Sequence, residues 1–289
     1  MKIRAPAKIN LRLRVVGRRA DGYHLLDTIM VPVSLYDEIE IRKVRVVGKN
    51  NRPARQTIKV SCDHPLAPDG EANLAYRAAQ LLMEKTKSDQ AIEIRIRKRI
   101  PVGAGLGGGS SDAAATLVGL NRLLHLGFPG RKLERLALRL GADVPFFIRG
   151  QPARARGIGE RLQPLHGVSR LWVVILYPGF PVSTAWAYRN LPAKLTKLRV
   201  NTSITSSLTG AGNLGNMLVN DLETVTLGRY PKIGLMKEML MRAGAAGSLM
   251  SGSGSSVFGV FRSKRRAEQA FRRLRQEEEV QTYLAHLLT

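Results

Sequence analysis

Five glycines lie between Gly103 and Gly109, and the polar residues 110–112 follow them directly. The alternating segment 91–97 before the glycines predicts a strand, and the Ala- and Leu-rich segment 113–124 after them predicts a helix. Ser110, Ser111 and Asp112 supply oxygens that can cap that helix. Because glycine has no Cβ, the backbone N–H groups of such a turn can approach a ligand closely, and the start of the next helix attracts an anion. This stretch therefore predicts a polyphosphate site.

The spacing of the glycines does not match the common nucleotide motifs in full. Gly103, Gly105 and Gly108 fit G-x-G-x-x-G, which alone is a weak signal. A dinucleotide site needs an acid at the end of the next strand, roughly twenty residues on, but that distance falls in a predicted helix that contains Glu134. The P-loop Gly-Lys-Ser/Thr and the protein-kinase His-Arg-Asp and Asp-Phe-Gly motifs are absent. A tight structural loop is the remaining alternative, and the entropy cost of so many glycines disfavours it.

Polar and apolar residues alternate from Lys8 onward, which predicts a strand with one buried face. Lys8 and Asn10 lie on its polar face, and such a face is usually solvated. Further on, a turn at 21–22 is followed directly by Tyr23 and His24. A ring packed on the core and a histidine in a surface loop are the ordinary interpretations of these two residues.

Two later places carry candidate functional residues. Asp143 is a lone acid between a predicted helix that ends at Gly141 and an apolar segment, 144–148, that predicts a strand. A turn or cap aspartate is the usual interpretation of such a residue. Thr184 and Tyr188 lie one helical turn apart in a predicted helix.

The composition is that of a globular protein. The 289 residues can form one large domain or two ordinary ones, and 44% of them are hydrophobic and 24% charged. No apolar run reaches membrane-spanning length, and segment 1–8 lacks the apolar core of a signal peptide. Cys62 is the single cysteine, which excludes an internal disulfide. We therefore expect a cytoplasmic protein with no membrane partner.

The net charge of +24 is the unusual feature of the composition. Lysine and arginine are spread over the whole chain, and aromatic residues amount to only 6%. A dedicated nucleic-acid surface would instead combine a basic face with aromatic residues. We expect non-specific nucleic-acid binding at low salt and attraction of nucleotide substrates, but no dedicated nucleic-acid partner.

The whole run from Pro101 to Ala115 resembles the phosphate loop of the GHMP kinases, and two further segments follow in the family order. Segment 140–147 is similar to the part of the family that supplies a catalytic aspartate, and segment 244–261 resembles its third motif. Segments 5–11 and 18–25 are most similar to the branch that acts on cytidine diphosphate methylerythritol in the non-mevalonate isoprenoid pathway.

The resemblance implies an ATP-dependent small-molecule kinase with ATP and Mg²⁺ as cofactors. Asp143 then accepts the proton of the attacking hydroxyl, and Lys8 lies close to Asp143 and keeps its carboxylate ionised. Ser110 or Ser111 is expected to touch the metal, whose ligands the sequence does not define. The residues expected around ATP are Asn73, Lys98, Pro101, Val102, Gly103, Ala104, Gly105, Leu106, Gly107, Gly108, Gly109, Ser110 and Ser111.

The same branch implies a cytidine pocket for the acceptor. Tyr23 and Tyr188 are expected to sandwich the cytosine, because aromatic faces stack on bases. His24 is expected to hydrogen-bond the base edge, Asn10 to bind the acceptor, and Thr184 to line the same pocket.

The implied fold class is α+β, in a two-domain GHMP kinase fold. The N-terminal half resembles the ribosomal S5 domain 2-like fold and the C-terminal half a ferredoxin-like layer. We expect an N-terminal domain with the phosphate loop over 1–155 and a C-terminal domain over 156–289. The oligomeric state, monomer or homodimer, and the roles of the basic insert 43–55 and of loop 194–215 stay open.

Three alternatives follow from the same residues. The acceptor could be another small alcohol, as in homoserine or mevalonate-type kinases, although the turn at 21–24 and Tyr188 argue against this. The chain could be a nucleotide- or RNA-binding module that uses its positive charge. A dinucleotide-dependent oxidoreductase is a third alternative, which the missing acidic residue disfavours.

Overall fold

The computed structural model describes residues 1–44, 57–192 and 217–289. Most of the basic insert 43–55 and all of loop 194–215 therefore lie outside the described residues. The strands are β1 (Lys2–Arg18), β2 (His24–Val44), β3 (Ile58–Cys62), β4 (Ala91–Arg97), β5 (Ala153–Gly157), β6 (Arg161–Pro164), β7 (Trp172–Tyr177), β8 (Val219–Asn220), β9 (Gly247–Met250), β10 (Val257–Phe261) and β11 (Gln281–His286). The α-helices are α1 (Leu74–Thr86), α2 (Gly108–Leu123), α3 (Gly130–Leu138), α4 (Val144–Arg149), α5 (Thr184–Arg189), α6 (Glu223–Arg229), α7 (Pro231–Arg242) and α8 (Lys264–Leu274).

The chain divides into two compact units, and neither is a continuous segment. Unit 1 comprises Met1–Ala7, Tyr36–Val102 and Gly107–Gly150, and unit 2 comprises Lys8–Leu35, Gly103–Leu106 and Gln151–Thr289. The long strands β1 and β2 thus contribute residues to both units. The sequence-based division at 155/156 stays a prediction.

Unit 1 packs helices against a small sheet. In it β2 pairs antiparallel with β4, and β3 pairs parallel with β4. Helix α2 approaches this sheet closely at Gly119, where an added Cβ would lie 2.6 Å from Cδ1 of Ile41. A glycine in the middle of a helix costs stability, and this contact gives the physical reason for it.

Unit 2 is built on a four-stranded antiparallel sheet in the order β11-β7-β10-β9. Strand β7 is a continuous apolar run, and its residues Val173–Tyr177 are all buried. Helices α7 and α8 pack on this sheet. Strand β1 adds a short parallel pairing with β8, and β5 pairs antiparallel with β2 and β6. Among the described residues, no helix has the length and apolar character to cross a membrane.

One sequence-based element assignment is wrong. The apolar segment 144–148, expected to be a strand, forms the short helix α4. Pro145 lies in the first turn of that helix, where its fixed φ is favourable and its missing N–H costs nothing.

Candidate functional site

The glycine stretch leads directly into helix α2, as the sequence predicts. Gly107, with φ of 74°, occupies the N-cap position, and the helix begins at Gly108. The expectation that residues 110–112 cap the helix is wrong, because they lie inside its first turns. Glycine adopts a left-handed φ at little cost, so the chain enters the helix without a side-chain cap. The first N–H groups of α2 consequently have no side-chain partner at the cap.

In unit 2, the segment Gly103–Leu106 is held by the loop between β9 and β10. Ser251 Oγ donates to the carbonyl of Gly105 at 3.0 Å, and the N–H of Ser256 donates to the carbonyl of Ala104 at 3.1 Å. A Cβ added to Gly105 would lie 2.0 Å from the carbonyl oxygen of Ser251. The close approach therefore requires glycine at position 105.

The polar face of β1 is not a solvated face. Lys8 is 4% exposed and Asn10 is 2% exposed. Lys8 Nζ donates to Asn10 Oδ1 at 2.6 Å, and Asn10 Nδ2 donates to Thr28 Oγ1 at 2.8 Å. Gly252 packs against the same ammonium group, because a Cβ added to this glycine would lie 3.4 Å from Lys8 Nζ. Because burying an ammonium group is costly without partners, this network favours a functional role for Lys8.

The loop that contains Gly252 is fixed by a buried amide. Asn220 Nδ2 donates to the carbonyl of Met250 at 2.8 Å and to that of Gly252 at 2.7 Å. Its Oδ1 accepts from the N–H of Leu222 at 3.0 Å. Asn220 therefore bridges strand β8 and the loop between β9 and β10.

In unit 1, Lys98 forms a buried ionic triad with two carboxylates. Its Nζ donates to Asp37 Oδ2 at 2.5 Å and to Asp112 Oδ2 at 2.9 Å. The side chain of Lys98 is only 4% exposed. Asp37 Oδ1 also accepts from the backbone N–H groups of Arg99 and Ile100, at 2.6 and 2.9 Å. The triad therefore fastens the chain between β4 and the glycine stretch to strand β2.

The charges of the triad do not balance, because one ammonium group faces two carboxylates. Burial, and secondarily the charge of Asp37, raises the pKa of Asp112 to about 7, although Lys98 opposes the shift. Burial alone would lower the pKa of Lys98, but the charges of Asp112 and Asp37 and their hydrogen bonds outweigh it and raise that pKa. Asp112 thus holds a proton over a large part of the acidic range.

Two oxygens at the start of α2 have no hydrogen-bond partner among the described residues. They are Ser111 Oγ and Asp112 Oδ1, and both atoms are buried. A buried hydroxyl without a partner is costly. Both oxygens are suitable ligands for a hard cation, and the hydroxyl can also donate a hydrogen bond to a phosphate. The neighbouring Ser110 is half-buried, and Gly109 is exposed.

The structure places the other residues expected around ATP as follows. Asn73 is buried and caps α1, because its Oδ1 accepts from the N–H of Ala75 and its Nδ2 donates to the carbonyl of Pro68, both at 2.9 Å. Pro101 is buried and Val102 half-buried. The amide of Asn73 thus has a structural role, and its contact with a nucleotide stays a prediction.

Asp143 lies in unit 1, directly before helix α4, and is half-buried. Asp143 lies in a turn and occupies the N-cap position of α4, but its side chain makes no capping hydrogen bond to that helix. Lys8 belongs to unit 2. The proximity of Lys8 and Asp143 therefore stays a prediction.

The residues expected around the acceptor base lie in unit 2, and two of them contact each other. The rings of His24 and Tyr188 stack with centroids 5.3 Å apart at 25°. Burial, assisted by the charge of Arg18, lowers the pKa of His24, so the ring is neutral at pH 7. Tyr23 is 60% exposed. A sandwich of a base between Tyr23 and Tyr188 stays a prediction, and the structure adds that His24 shares one face of Tyr188.

Thr184, the remaining residue of the expected pocket, begins α5. Its Oγ1 lies 2.9 Å from Oγ of Ser253, a residue of the loop between β9 and β10. That loop therefore contacts both the glycine segment and one of the residues expected around the acceptor, Thr184.

Comparison with known proteins gives matches over most of the chain. Two family models match, the GHMP kinases N terminal domain over residues 73–151 and the GHMP kinases C terminal model over residues 206–280. A protein named 4-diphosphocytidyl-2-C-methyl-D-erythritol kinase, from Citrifermentans bemidjiense, is 50% identical over 270 residues, which cover 93% of this chain and 92% of the relative. A protein of the same name from Geobacter sulfurreducens is 46% identical over 275 residues, with 95% of each chain covered.

Solved structures give the same result. A crystal structure of 4-(cytidine 5'-diphospho)-2C-methyl-D-erythritol kinase superposes with a TM-score of 0.83 at 36% identity and covers 100% of both chains. A homoserine kinase from Cytophaga hutchinsonii superposes with a TM-score of 0.75 at 20% identity, covering 100% of this chain and 94% of that one. The second match shows the fold alone. The expected mixed α and β content in a two-domain fold of this kind is confirmed.

Proposed function

The chain belongs to the GHMP kinase family, and we propose that it transfers the γ-phosphoryl group of ATP to the 2-hydroxyl of 4-diphosphocytidyl-2-C-methyl-D-erythritol. The reaction belongs to the non-mevalonate isoprenoid pathway. A relative that carries the name of a kinase acting on this acceptor is 50% identical over 93% of the chain. The observation that carries the proposal is the geometry of the glycine stretch. Gly105 lies in close contact with Ser251, and Gly107 precedes α2 at an N-cap position that has no side-chain hydrogen bond.

The glycine stretch supplies the binding site for the ATP phosphates. Uncapped N–H groups at the start of α2 and the positive end of its dipole attract the phosphate oxygens. The buried triad around Lys98 holds the approach to this stretch in place. Phosphoryl transfer depends mainly on such positioning and on neutralisation of the transferring group.

Asp143 is the proposed base, and Lys8 the proposed electrostatic partner. A carboxylate can accept the proton of the acceptor hydroxyl as the oxygen attacks phosphorus. A nearby ammonium group favours the ionised carboxylate and stabilises negative charge on the transferring oxygens. Asn10 orients Lys8 through the 2.6 Å hydrogen bond to Nζ, and in this scheme it also contacts the acceptor.

Mg²⁺ fits the residues at the start of α2. Ser111 Oγ is a buried oxygen without a hydrogen-bond partner among the described residues, and it is the atom best suited to contact the ion. The adjacent Ser110 is the other candidate. When bound with ATP, Mg²⁺ neutralises charge on the phosphates. No group of three or more His, Cys, Asp or Glu side chains forms a metal cluster in the described part of the chain.

The acceptor is recognised through its cytosine in this proposal. The neutral ring of His24 can donate or accept a hydrogen bond at the base edge, and Tyr188 offers a ring face for stacking. Tyr23, which is exposed, is available to cover the other face of the base. Thr184, which precedes Tyr188 by one helical turn in α5 and contacts Ser253, is proposed to line the same pocket.

The test is an assay of ADP release with ATP and three acceptors: the cytidine-linked methylerythritol, homoserine and mevalonate. We expect rapid turnover with the first acceptor alone and a product phosphorylated at its 2-hydroxyl, identified by phosphorus NMR. Turnover with homoserine or mevalonate instead would assign the chain to another branch of the family. ATP binding with no turnover on any acceptor would favour a binding module.

A further inference from the structure

Arg12 carries a buried guanidinium nitrogen that has no hydrogen-bond partner in the described part of the chain. Its Nε is shielded from solvent, and no described residue accepts a hydrogen bond from it. Unpaired donors of this kind are costly in a folded protein and often mark a site that is completed by a ligand. The sequence gives no hint of this, because Arg12 is one of several arginines on a strand with alternating polarity.

The charged groups around Arg12 are already engaged with each other. Asp27 accepts from Nε and Nη2 of Arg154 at 2.6 and 2.7 Å, with one hydrogen bond on each of its oxygens. Asp221 accepts from Nη1 of Arg14 at 2.7 Å and from the N–H of Val15 at 2.8 Å.

This cluster has an excess of positive charge. The groups that act electrostatically on Arg12 are Asp27, Arg14, Arg154 and Asp221. Together with Arg12 itself, three arginines face two aspartates, and each aspartate has its own arginine partner. Burial lowers the pKa of Arg12, but an arginine stays charged at neutral pH. The described cluster therefore has a net charge of +1, and Arg12 is its one arginine whose guanidinium group makes no hydrogen bond to a described carboxylate.

Arg12 continues the line of polar residues on β1. Side chains two residues apart on a strand share a face, so Arg12 follows Lys8 and Asn10 on one side of the sheet. The three residues are also linked, because Thr28 Oγ1 accepts from Asn10 and donates to the carbonyl of Arg12 at 2.6 Å. By strand geometry, the Cα atom of Arg12 lies about 7 Å from that of Asn10 and about 13 Å from that of Lys8.

We propose that Arg12 binds the diphosphate of the acceptor, on the side of Asn10 that faces away from Lys8. This inference rests on the proposed function, in which Lys8 and Asn10 meet the sugar alcohol and His24 and Tyr188 meet the cytosine. In that acceptor the diphosphate lies between the sugar alcohol and the cytidine. A guanidinium group matches phosphate oxygens with two parallel hydrogen bonds, which makes arginine well suited to this task.

The test compares two ligands that differ only in the diphosphate. Binding of cytidine diphosphate and of cytidine is measured by titration calorimetry, with the glycine stretch saturated by a non-hydrolysable ATP analogue. Wild type, Arg12→Gln and Arg12→Lys are compared. Arg42→Gln serves as the control, because Arg42 is an exposed arginine of unit 1 that is paired with Glu40.

For Arg12→Gln we expect an affinity for cytidine diphosphate about tenfold to a hundredfold lower, with the affinity for cytidine changed less than about twofold. Arg12→Lys keeps the charge and should retain part of the preference, and Arg42→Gln should behave as wild type. Equal losses on both ligands, no loss on either, or a wild type that does not prefer the diphosphate would each overturn the proposal. If the Arg12→Gln variant does not fold, the Arg12→Lys variant decides. The proposal then requires that this variant binds cytidine as wild type does and binds cytidine diphosphate more weakly.

This experiment tests the role of Arg12 independently of the proposed function. If wild type does not phosphorylate the cytidine-linked acceptor but its preference for cytidine diphosphate depends on Arg12, only the proposed function is wrong. If turnover is as proposed and Arg12→Gln keeps the full preference, only the role of Arg12 is wrong.

Discussion

Gly105 lies in direct contact with Ser251, whose hydroxyl donates to the carbonyl of Gly105 at 3.0 Å. The φ of Gly105 is 77°, and a Cβ at this position would lie 2.0 Å from the backbone oxygen of Ser251. The two backbones thus meet with no room for a side chain. The third family motif is therefore a structural support of the glycine segment within unit 2.

Gly105→Ala should destabilise the protein and weaken ATP binding. Both the left-handed φ and the clash with a backbone oxygen oppose the change, and we expect a loss of about 3 kcal/mol or more in the free energy of unfolding. Gly127→Ala is the matched control, since Gly127 has a φ of 65° and no atom within 4 Å of its added Cβ. That control should cost only about 1 kcal/mol, for the φ alone. Denaturant unfolding measures both, and equal losses would show that the contact with Ser251 is not tight.

Asp112→Asn should change how stability depends on pH. Because the folded state raises the pKa of Asp112 to about 7, it binds more protons than the unfolded state between about pH 4 and pH 7. The contribution of Asp112 to the free energy of unfolding therefore falls as the pH rises through this range. Relative to the variant, wild type should lose on the order of 1–3 kcal/mol from about pH 4 to about pH 7.5. Parallel pH profiles for the two proteins would contradict this.

Asp143→Asn should lower turnover by about a thousandfold while ATP affinity stays within about twofold, because an amide cannot accept the proton of the acceptor hydroxyl. Steady-state kinetics and calorimetry with an ATP analogue measure the two quantities. Asp69→Asn, which alters an exposed acid of the same unit, is the control and should keep wild-type turnover. Near-normal turnover of the Asp143 variant would remove this residue from the proposed role.

Tyr188→Ala should weaken acceptor binding far more than ATP binding. The variant removes the ring that stacks on His24, and stacking on a base contributes about 1–3 kcal/mol. We expect the KM for the acceptor to rise about tenfold to a hundredfold, with the KM for ATP nearly unchanged. Equal changes in both values would contradict a role in the acceptor pocket. Tyr36→Ala, a change in unit 1, provides the comparison.

The lowered pKa of His24 predicts how binding of the acceptor depends on pH. Burial lowers the pKa of His24, so its ring stays neutral from alkaline pH down to below its usual value near 6.5. The KM for the acceptor should therefore be flat above about pH 6.5 and rise only at lower pH, where the ring becomes charged. His24→Asn should lack the acidic rise. If both proteins showed the same rise, another group would be responsible.

The glycine stretch and its flanking elements could be predicted from the sequence, because glycine content and strand or helix periodicity are local properties. The buried network of Lys8 and Asn10 could not, because alternation predicts a polar face and does not say whether another segment covers it. Gly252 and Asn220, which approach or support that place, are more than two hundred residues away in sequence.

The triad of Lys98, Asp37 and Asp112 could not be predicted from the sequence either. Asp37 interrupts the apolar pattern of β2, and nothing in the sequence shows which groups would satisfy its carboxylate. In the structure Lys98 and two backbone N–H groups of the segment after β4 satisfy it. Helix α4 was mistaken for a strand for a different reason: six residues are too few to show a helical period.

Lys98 and Asp112 stand at the two ends of the glycine stretch, fourteen positions apart, and their side chains join at 2.9 Å. The backbone between them therefore forms a loop that is closed by this side-chain contact. Closing a flexible ring costs entropy, and here an ion pair outside the glycines offsets that cost. Loss of either side chain would therefore open this loop where it closes, and the hydrogen bonds of Ser251 and Ser256 to the segment Gly103–Leu106 would then remain as constraints on it.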